Sequence, residues 1–465
     1  MSSNGNVPRI VVSATGSGAG KTTVTVGLIA ALRARGMRVA AYKCGPDYLD
    51  PTYHARAAGA VSHNLDGWMM GRAAVAATFA RTSANAEIAV IEGMMGLFDG
   101  ATPTGDEGST AEIAKWLGAP VLLVTDASGM ARTVAAIAHG FAHFDPAVKF
   151  AGLICNRLGS RRHLDLLREA SREIPVIGGL PADAAAAFPG RHLGLFAADE
   201  AHVPSASIES WARHVGEWFD LDAIVAAARN ASAIDFAAAS ADTATGRAKL
   251  PCRIGVAWDE AFHFYYDDNL RRLESLGAEL VRFSPIHDAE PPAVDGLYFG
   301  GGYPEAHARE LAENRTMLDA VAAMHRRGAP IYAECGGLMY FTRGIRTLDG
   351  AVFPMAGAIP AEAVMHDRLQ ALGYVEVETT QPTLLGAAGL RFRGHQFRYS
   401  TLEPAPEGLN RAYAARARRG GPFNEGFAVG SLLATYVHAH WASNPEAAAG
   451  FVASCAAARA RAAGR

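Results

Sequence analysis

The stretch from Arg9 to Arg35 leaves few folds open. A short apolar run rich in β-branched residues, Arg9 to Ser13, passes through a glycine-rich loop, Ala14-Thr-Gly-Ser-Gly-Ala-Gly-Lys-Thr-Thr23, into Val24 to Arg35, which has helical spacing. A strand that feeds a helix across so tight a turn is half of a βαβ unit, and such units build parallel sheets. The same alternation returns at Arg38 to Lys43, Ile88 to Glu92, Val121 to Asp126 and Phe150 to Cys155. It fades between about Ile224 and Leu250, where the chain becomes small, polar and alanine-rich. It restarts at Arg253 to Ala257, Leu280 to Phe283, Gly296 to Phe299 and Ile331 to Ala333. We expect two α/β domains, residues 1–223 and 251–465, joined by a linker over 224–250. A chain of 465 residues, half of them hydrophobic, can build both cores.

Composition narrows the partners. The 43 Lys and Arg residues nearly balance 46 Asp and Glu, giving a net charge of −3, which points away from nucleic acid and acidic membranes and toward a small-molecule substrate. The first residues lack the basic and apolar regions of a signal peptide, and no segment reaches the roughly 20 apolar residues of a membrane span, so the expected location is the cytoplasm. The five cysteines are scattered without a CxxC pair, so neither a disulfide framework nor a zinc site is indicated.

Two places carry chemistry. In the loop, Gly16, Ser17, Gly18, Ala19 and Gly20 can turn backbone N–H groups toward phosphate oxygens at a helix N-terminus. Lys21 can reach the terminal phosphates, Thr22 can hold Mg²⁺, and Thr23 continues the helix start. Thr15 stands where the usual phosphate-loop spacing has glycine. Glu92, ending its strand, is either a Mg²⁺ ligand or a helix cap. The turn Lys43-Cys-Gly-Pro-Asp-Tyr-Leu-Asp-Pro51 holds Asp47, Tyr48 and Asp50 at the expected carboxyl edge of the sheet, with Lys43 as a second cation for phosphates; an Asx turn capping a helix at Asp50 is the plainer reading.

The second place is Ala329-Pro-Ile-Tyr-Ala-Glu-Cys-Gly-Gly-Leu-Met-Tyr-Phe341, a strand running through a sharp turn into a helix. Cys335 on such an elbow is a candidate nucleophile, with the Gly336 N–H available to an oxyanion. A thiol that attacks an amide needs a base, and His438, in Ser431 to His440, is the candidate; His440 could share its side. Gly301 and Gly302, in Gly300-Gly-Gly-Tyr-Pro-Glu305, offer further N–H donors.

Taken in order, SGAGKTT, KCGPDYLDP, EGMMGLFDG, CNRLGS, GGGYPE, AECGGLMYF, GHQFRYS and TYVHAHWASNP resemble the cobyrinate or hydrogenobyrinate a,c-diamide synthases of corrin biosynthesis, over nearly the whole chain. The resemblance implies a dethiobiotin-synthetase-like ATP domain and a class I glutamine amidotransferase domain of flavodoxin-like fold. ATP with Mg²⁺ would activate side-chain carboxylates a and c of a corrin ring as acyl phosphates, and glutamine hydrolysed at Cys335 would supply ammonia. It assigns Thr22 and Glu92 to Mg²⁺, Asp47, Tyr48 and Asp50 to the substrate or its intermediate, and Asn156 of CNRLGS to the nucleotide base. It also implies a dyad of Cys335 and His438, because His440 stands where related amidotransferases carry glutamate. Gln396 and Arg398 replace the Glu and His of many relatives, which leaves the role of GHQFRYS open. Cobyric acid synthases, with the same two domains, and a phosphate-loop switch with a degenerate amidotransferase domain are the alternatives. Cobalt in the ring, the order of amidation and a homodimeric state are left open.

Overall fold

The computed structural model describes residues 7–182, 203–234, 249–406, 408–418 and 420–464. It divides into two compact units, Met1–Asp242 and Thr243–Arg465.

The first unit is built on seven strands: β1 (Arg9–Ala14), β2 (Val39–Cys44), β3 (Ser62–Leu65), β4 (Ile88–Glu92), β5 (Val121–Asp126), β6 (Phe150–Leu158) and β7 (Val176–Pro181). They form one sheet in the order β3-β2-β4-β1-β5-β6-β7, every neighbour pair parallel. Among the described residues eight helices accompany them: α1 (Lys21–Ala34), α2 (Asp50–Ala58), α3 (Gly67–Ser83), α4 (Thr110–Trp116), α5 (Thr133–Phe144), α6 (Arg161–Ala170), α7 (Ser205–Trp218) and α8 (Leu221–Arg229). Every residue of β1 is buried, as expected of a parallel strand covered on both faces. From β1 the chain crosses to β2 and β3 on one side, while β5, β6 and β7 extend the other. The carboxyl end of β1 is therefore the switch point at which open α/β sheets take ligands.

Two expectations need correction. Glu92 ends the fourth strand in chain order, because Ser62–Leu65 (SHNL), with no β-branched residue to mark it, forms an edge strand beside β2. The expected linker also begins too early. Ile224 and Ala228 of α8 are fully buried in the core that contains Val12 and Val24. Buried Arg9 extends the attachment, its guanidinium donating to Leu117 O (2.5 Å), Val7 O (2.9 Å) and Ser232 O. Residues 224–234 thus belong to the first unit; residues 235–248 of the expected linker lie outside the described residues.

The second unit holds β8 (Cys252–Ala257), β9 (Ala278–Phe283), β10 (Gly296–Phe299), β11 (Ile331–Glu334), β12 (Thr342–Arg346), β13 (Val352–Pro354), β14 (Ile359–Met365), β15 (Ala371–Thr379), β16 (Arg391–Arg398), β17 (Ser400–Glu403), β18 (Asn410–Ala417), β19 (Pro422–Val429), β20 (Leu432–Thr435) and β21 (His438–His440). Its helices are α9 (Asp267–Ser275), α10 (Ala308–Glu313), α11 (Arg315–Arg326), α12 (Gly336–Tyr340) and α13 (Pro445–Ala463). Strands β9-β8-β10-β11-β20 are parallel and adjacent in that order, the 2-1-3-4-5 arrangement of flavodoxin-like sheets. Beyond β20 the same sheet continues antiparallel through β19, β18, β15, β16 and β21. A separate four-stranded sheet, β13-β12-β14-β17, follows the cysteine elbow. The apolar run Ser431 to His440 is not one strand: it breaks at Tyr436 and Val437, so that β21 pairs with β16 instead of continuing beside β11.

Candidate active site

The loop between β1 and α1 has left-handed backbone at Gly18 (φ 80°) and Gly20 (φ 94°), conformations that favour glycine. Thr15 does not have a positive φ; its N–H bonds Val124 O on β5 at 3.0 Å. Glycine is required where the turn bends, at Gly18 and Gly20 beyond Thr15. Asn156, at the end of β6, donates to Ala19 O (2.9 Å) and accepts from the Arg157 N–H (3.0 Å), while Arg157 donates to Gly18 O (3.0 Å) and pairs with Asp126. Asn156 therefore braces the loop from below.

At the carboxyl edge the side chains converge. Glu92 is fully buried; its Oε1 accepts from Thr22 Oγ1 (2.8 Å) and Lys43 Nζ (3.0 Å), and its Oε2 lies 2.5 Å from His54 Nε2. Lys43 also reaches Asp50 Oδ2 at 2.5 Å and Asp47 Oδ2 at 3.8 Å, and Thr22 lies 3.4 Å from Asp50. Of the two readings of Glu92, the cap is excluded, because the next helix, α4, begins only at Thr110 and is capped by Ser109. The Asx role in the turn belongs to Asp47, whose Oδ1 accepts from the N–H groups of Leu49 and Asp50, leaving the Asp50 carboxylate to face Lys43. Tyr48 sits half-buried in the same turn.

Burial opposes charge here; the ion pairs overcome it at Glu92 and Lys43 but not at Asp50 or Lys21. Glu92 is held well below the ordinary carboxylate range, since Lys43 and the His54 N–H outweigh its desolvation. Lys43 is raised well above the usual lysine value, since Asp50, Glu92 and Asp47 outweigh its own burial. Asp50 is pushed up by burial and by the neighbouring Asp47 charge. Lys21 is lowered by burial and by Lys43, and its Nζ rests on Met95 O at 2.5 Å. The oxygens of Thr22, Glu92 and Asp50 form a hard-donor set of the kind that suits Mg²⁺, and Lys43 is the cation that neutralises it here.

In the second unit Cys335 joins β11 to α12 with φ 49° and ψ −102°, strained backbone for a residue with a Cβ. Its N–H bonds Thr435 O at 2.7 Å, and its sulfur lies 3.9 Å from Phe397 O on β16. The oxyanion candidates gather at the elbow. Gly337 N–H donates to Gly300 O (3.0 Å), and a Cβ on Gly336 would lie 3.1 Å from Gly302 N. A Cβ on Gly301 would strike the His438 ring, and one on Gly302 would strike Ala261 O. The glycines therefore permit close approach of three segments.

His438 is buried on β21 as the register partner of His395 on β16; the two imidazoles stack at 4.9 Å with 17° between planes. His395 Nδ1 meets Tyr266 OH at 3.1 Å, and the Tyr266 ring packs on His440 at 4.6 Å. GHQFRYS thus belongs to the surroundings of Cys335 and His438. Burial, with the Glu305 charge behind it, pushes the Cys335 thiol up to about 12, and burial pushes His438 down to about 3. Cys335 is thereby kept a neutral thiol and His438 a neutral imidazole.

Sequence reasoning missed three contributors. His54, a single histidine in a helix, gave no signal. His395 lay in a motif with no assigned task. Glu334, a charged residue ending an apolar strand one position before the nucleophile, was the readable one: it is buried and accepts from Tyr298, Tyr332 and the Ala439 N–H.

A phosphate-type loop beside an acidic cluster centred on buried Glu92, and a cysteine elbow and a buried histidine strand within one flavodoxin-like unit, define a nucleotide-binding domain joined to an amidotransferase domain. Comparison agrees: residues 10–195 match the CobQ/CobB/MinD/ParA nucleotide binding domain, and residues 253–446 the CobB/CobQ-like glutamine amidotransferase domain. A cobyrinate a,c-diamide synthase of Leptospira interrogans is 50% identical over 97% of this chain and 99% of its own. Those of Syntrophotalea carbinolica (49%, covering 96% and 98%) and Salmonella typhimurium (41%, covering 94% and 95%) are similar along nearly their whole lengths. The chain belongs to the cobyrinate a,c-diamide synthase family.

Proposed function

We propose that the chain is an ATP-dependent, glutamine-hydrolysing ligase that converts the a and c carboxylates of a corrin ring to amides. A carboxylate is a poor electrophile toward ammonia. Transfer of the terminal phosphoryl group of ATP to a carboxylate oxygen gives an acyl phosphate and ADP, and attack by ammonia forms the C–N bond and expels phosphate. The loop N–H groups and Lys21 bind and orient the phosphates. Thr22 and Glu92, with Asp50 beside them, would hold Mg²⁺, which when bound supplies positive charge to the phosphate oxygens. Asp47 and Tyr48 are placed in the turn next to that cluster, where they would orient the acceptor or its intermediate.

In the second unit Cys335 is the nucleophile. As its sulfur bonds to the glutamine amide carbon, the thiol proton passes to His438, and the oxyanion is met by N–H groups of Gly336 and Gly301 or Gly302. His438 then returns the proton to the leaving ammonia, and water hydrolyses the glutamyl thioester to glutamate. The observation that carries this reading is the strained cysteine at a helix start in a chain that also keeps the Thr22/Lys43/Glu92 cluster. Free ammonium at high concentration bypasses the thiol. Cys335→Ser is therefore expected to lose glutamine-dependent amidation while ammonium still supports it; loss of both in a folded variant would count against the division of labour.

A further inference from the structure

The strand that carries His438 lies at the edge of its sheet and pairs only with β16. An edge strand ordinarily leaves its outer N–H and C=O groups to water. Here the outer groups of Ala439, the residue after His438, are both taken by buried side chains. Its N–H donates to Glu334 Oε1 at 2.9 Å, and its carbonyl accepts from Asn269 Nδ2 at 2.8 Å. Asn269 Oδ1 accepts from Trp441 N–H at 2.8 Å, so one amide spans the end of β21. Glu334 is fixed in turn by the hydroxyls of Tyr332, on Oε1, and Tyr298, on Oε2, each at 2.8 Å. Glu334 and Asn269 are 2% and 1% exposed, too enclosed for water to take over these bonds.

A carboxylate in a protein interior costs several kcal/mol unless donors surround it, and a neutral acceptor could satisfy one N–H more cheaply. What Glu334 adds is connectivity: it is the residue before Cys335, and its partner is the residue after His438. We infer that Glu334 and Asn269 are positioning residues that hold the His438 strand in register with the Cys335 elbow. The inference rests on the reading of Cys335 and His438 as the glutaminase pair. Neither residue touches the reacting atoms. Their effect falls on the rate of proton transfer from thiol to imidazole, where a displacement of about 1 Å costs about 10²-fold.

The full-length chain tests this by its kcat and KM for glutamine hydrolysis. Glu334→Ala is expected to lower kcat by about 10²-fold with KM little changed. Glu334→Gln keeps an oxygen for the Ala439 N–H and an amide that can donate to a tyrosine hydroxyl, so it should restore most of that loss. Asn269→Ala acts on Ala439 from the other contact and should lower kcat in the same manner even if Glu334→Ala fails to fold. Wild-type kcat in folded Glu334→Ala or in Asn269→Ala would overturn the proposal. So would a Glu334→Gln enzyme as slow as Glu334→Ala, because charge and not position would then be the contribution. Unimpaired glutamine hydrolysis by Cys335→Ser would instead overturn the assignment of the pair itself.

Discussion

Burial sets the resting state of Cys335 and His438, the proposed glutaminase residues. With the thiol pushed up to about 12 and His438 pushed down to about 3, an ion pair does not form in advance, and the proposed proton transfer would come with the attack on glutamine. Alkylation of Cys335 by iodoacetamide without glutamine should therefore rise about tenfold per pH unit between about pH 7 and about pH 10, with no plateau. A plateau below about pH 8 would show a preformed thiolate and contradict this account. The elbow at Cys335 was legible in the sequence because it needs an apolar strand, a small turn and a helix start in one continuous stretch. The strand that carries His438 was harder to read, since its histidines are placed by pairing with β16, which lies well before it in the chain.

Among the elements, β2, β4, α1 and α2 meet in the acidic cluster, and Lys43 is its only amine bonded to Glu92 and Asp50 among the described residues. Replacing Lys43 by methionine leaves buried Glu92 and partly buried Asp50 without their cation, at a cost of about 3–5 kcal/mol near pH 7. The sign of its pH dependence follows from Glu92. Held low in the fold, Glu92 contributes stability that is present above the ordinary carboxylate value and lost as pH falls through its folded value. Urea unfolding should show the gap between Lys43→Met and wild type narrowing as pH falls below about 4, through the range between the ordinary and the folded value of Glu92; a constant gap there would place the stabilisation elsewhere. The parallel strands here were legible from β-branched runs, and the turn after β2 from its prolines and aspartates. Strand β3 was not, because SHNL is held by β2 on one side and not by its own propensity. Nor was α8: its alanine-rich sequence reads as linker until Ile224 and Ala228 are seen buried against the first sheet's core.

Across the whole molecule, two units with different chemistry share one chain, and the family to which it belongs carries both over nearly its full length. The two-unit division and the parallel core of each sheet followed from the alternation of apolar runs and helices. The antiparallel extension through β19, β18, β15, β16 and β21 did not, because its partners are set by long-range pairing that no local pattern announces. The central claim is that ammonia released at Cys335 is the nitrogen that enters an ATP-activated corrin carboxylate. The direct measurement is mass spectrometry of the ring after incubation with the enzyme, ATP, Mg²⁺ and glutamine labelled with ¹⁵N in the side-chain amide, using cobyrinate and hydrogenobyrinate in turn. The account predicts two ¹⁵N-labelled amides on one of these rings, with one glutamate and one ADP formed for each. Unmodified rings alongside ATP and glutamine turnover, or amides carrying no label, would contradict it.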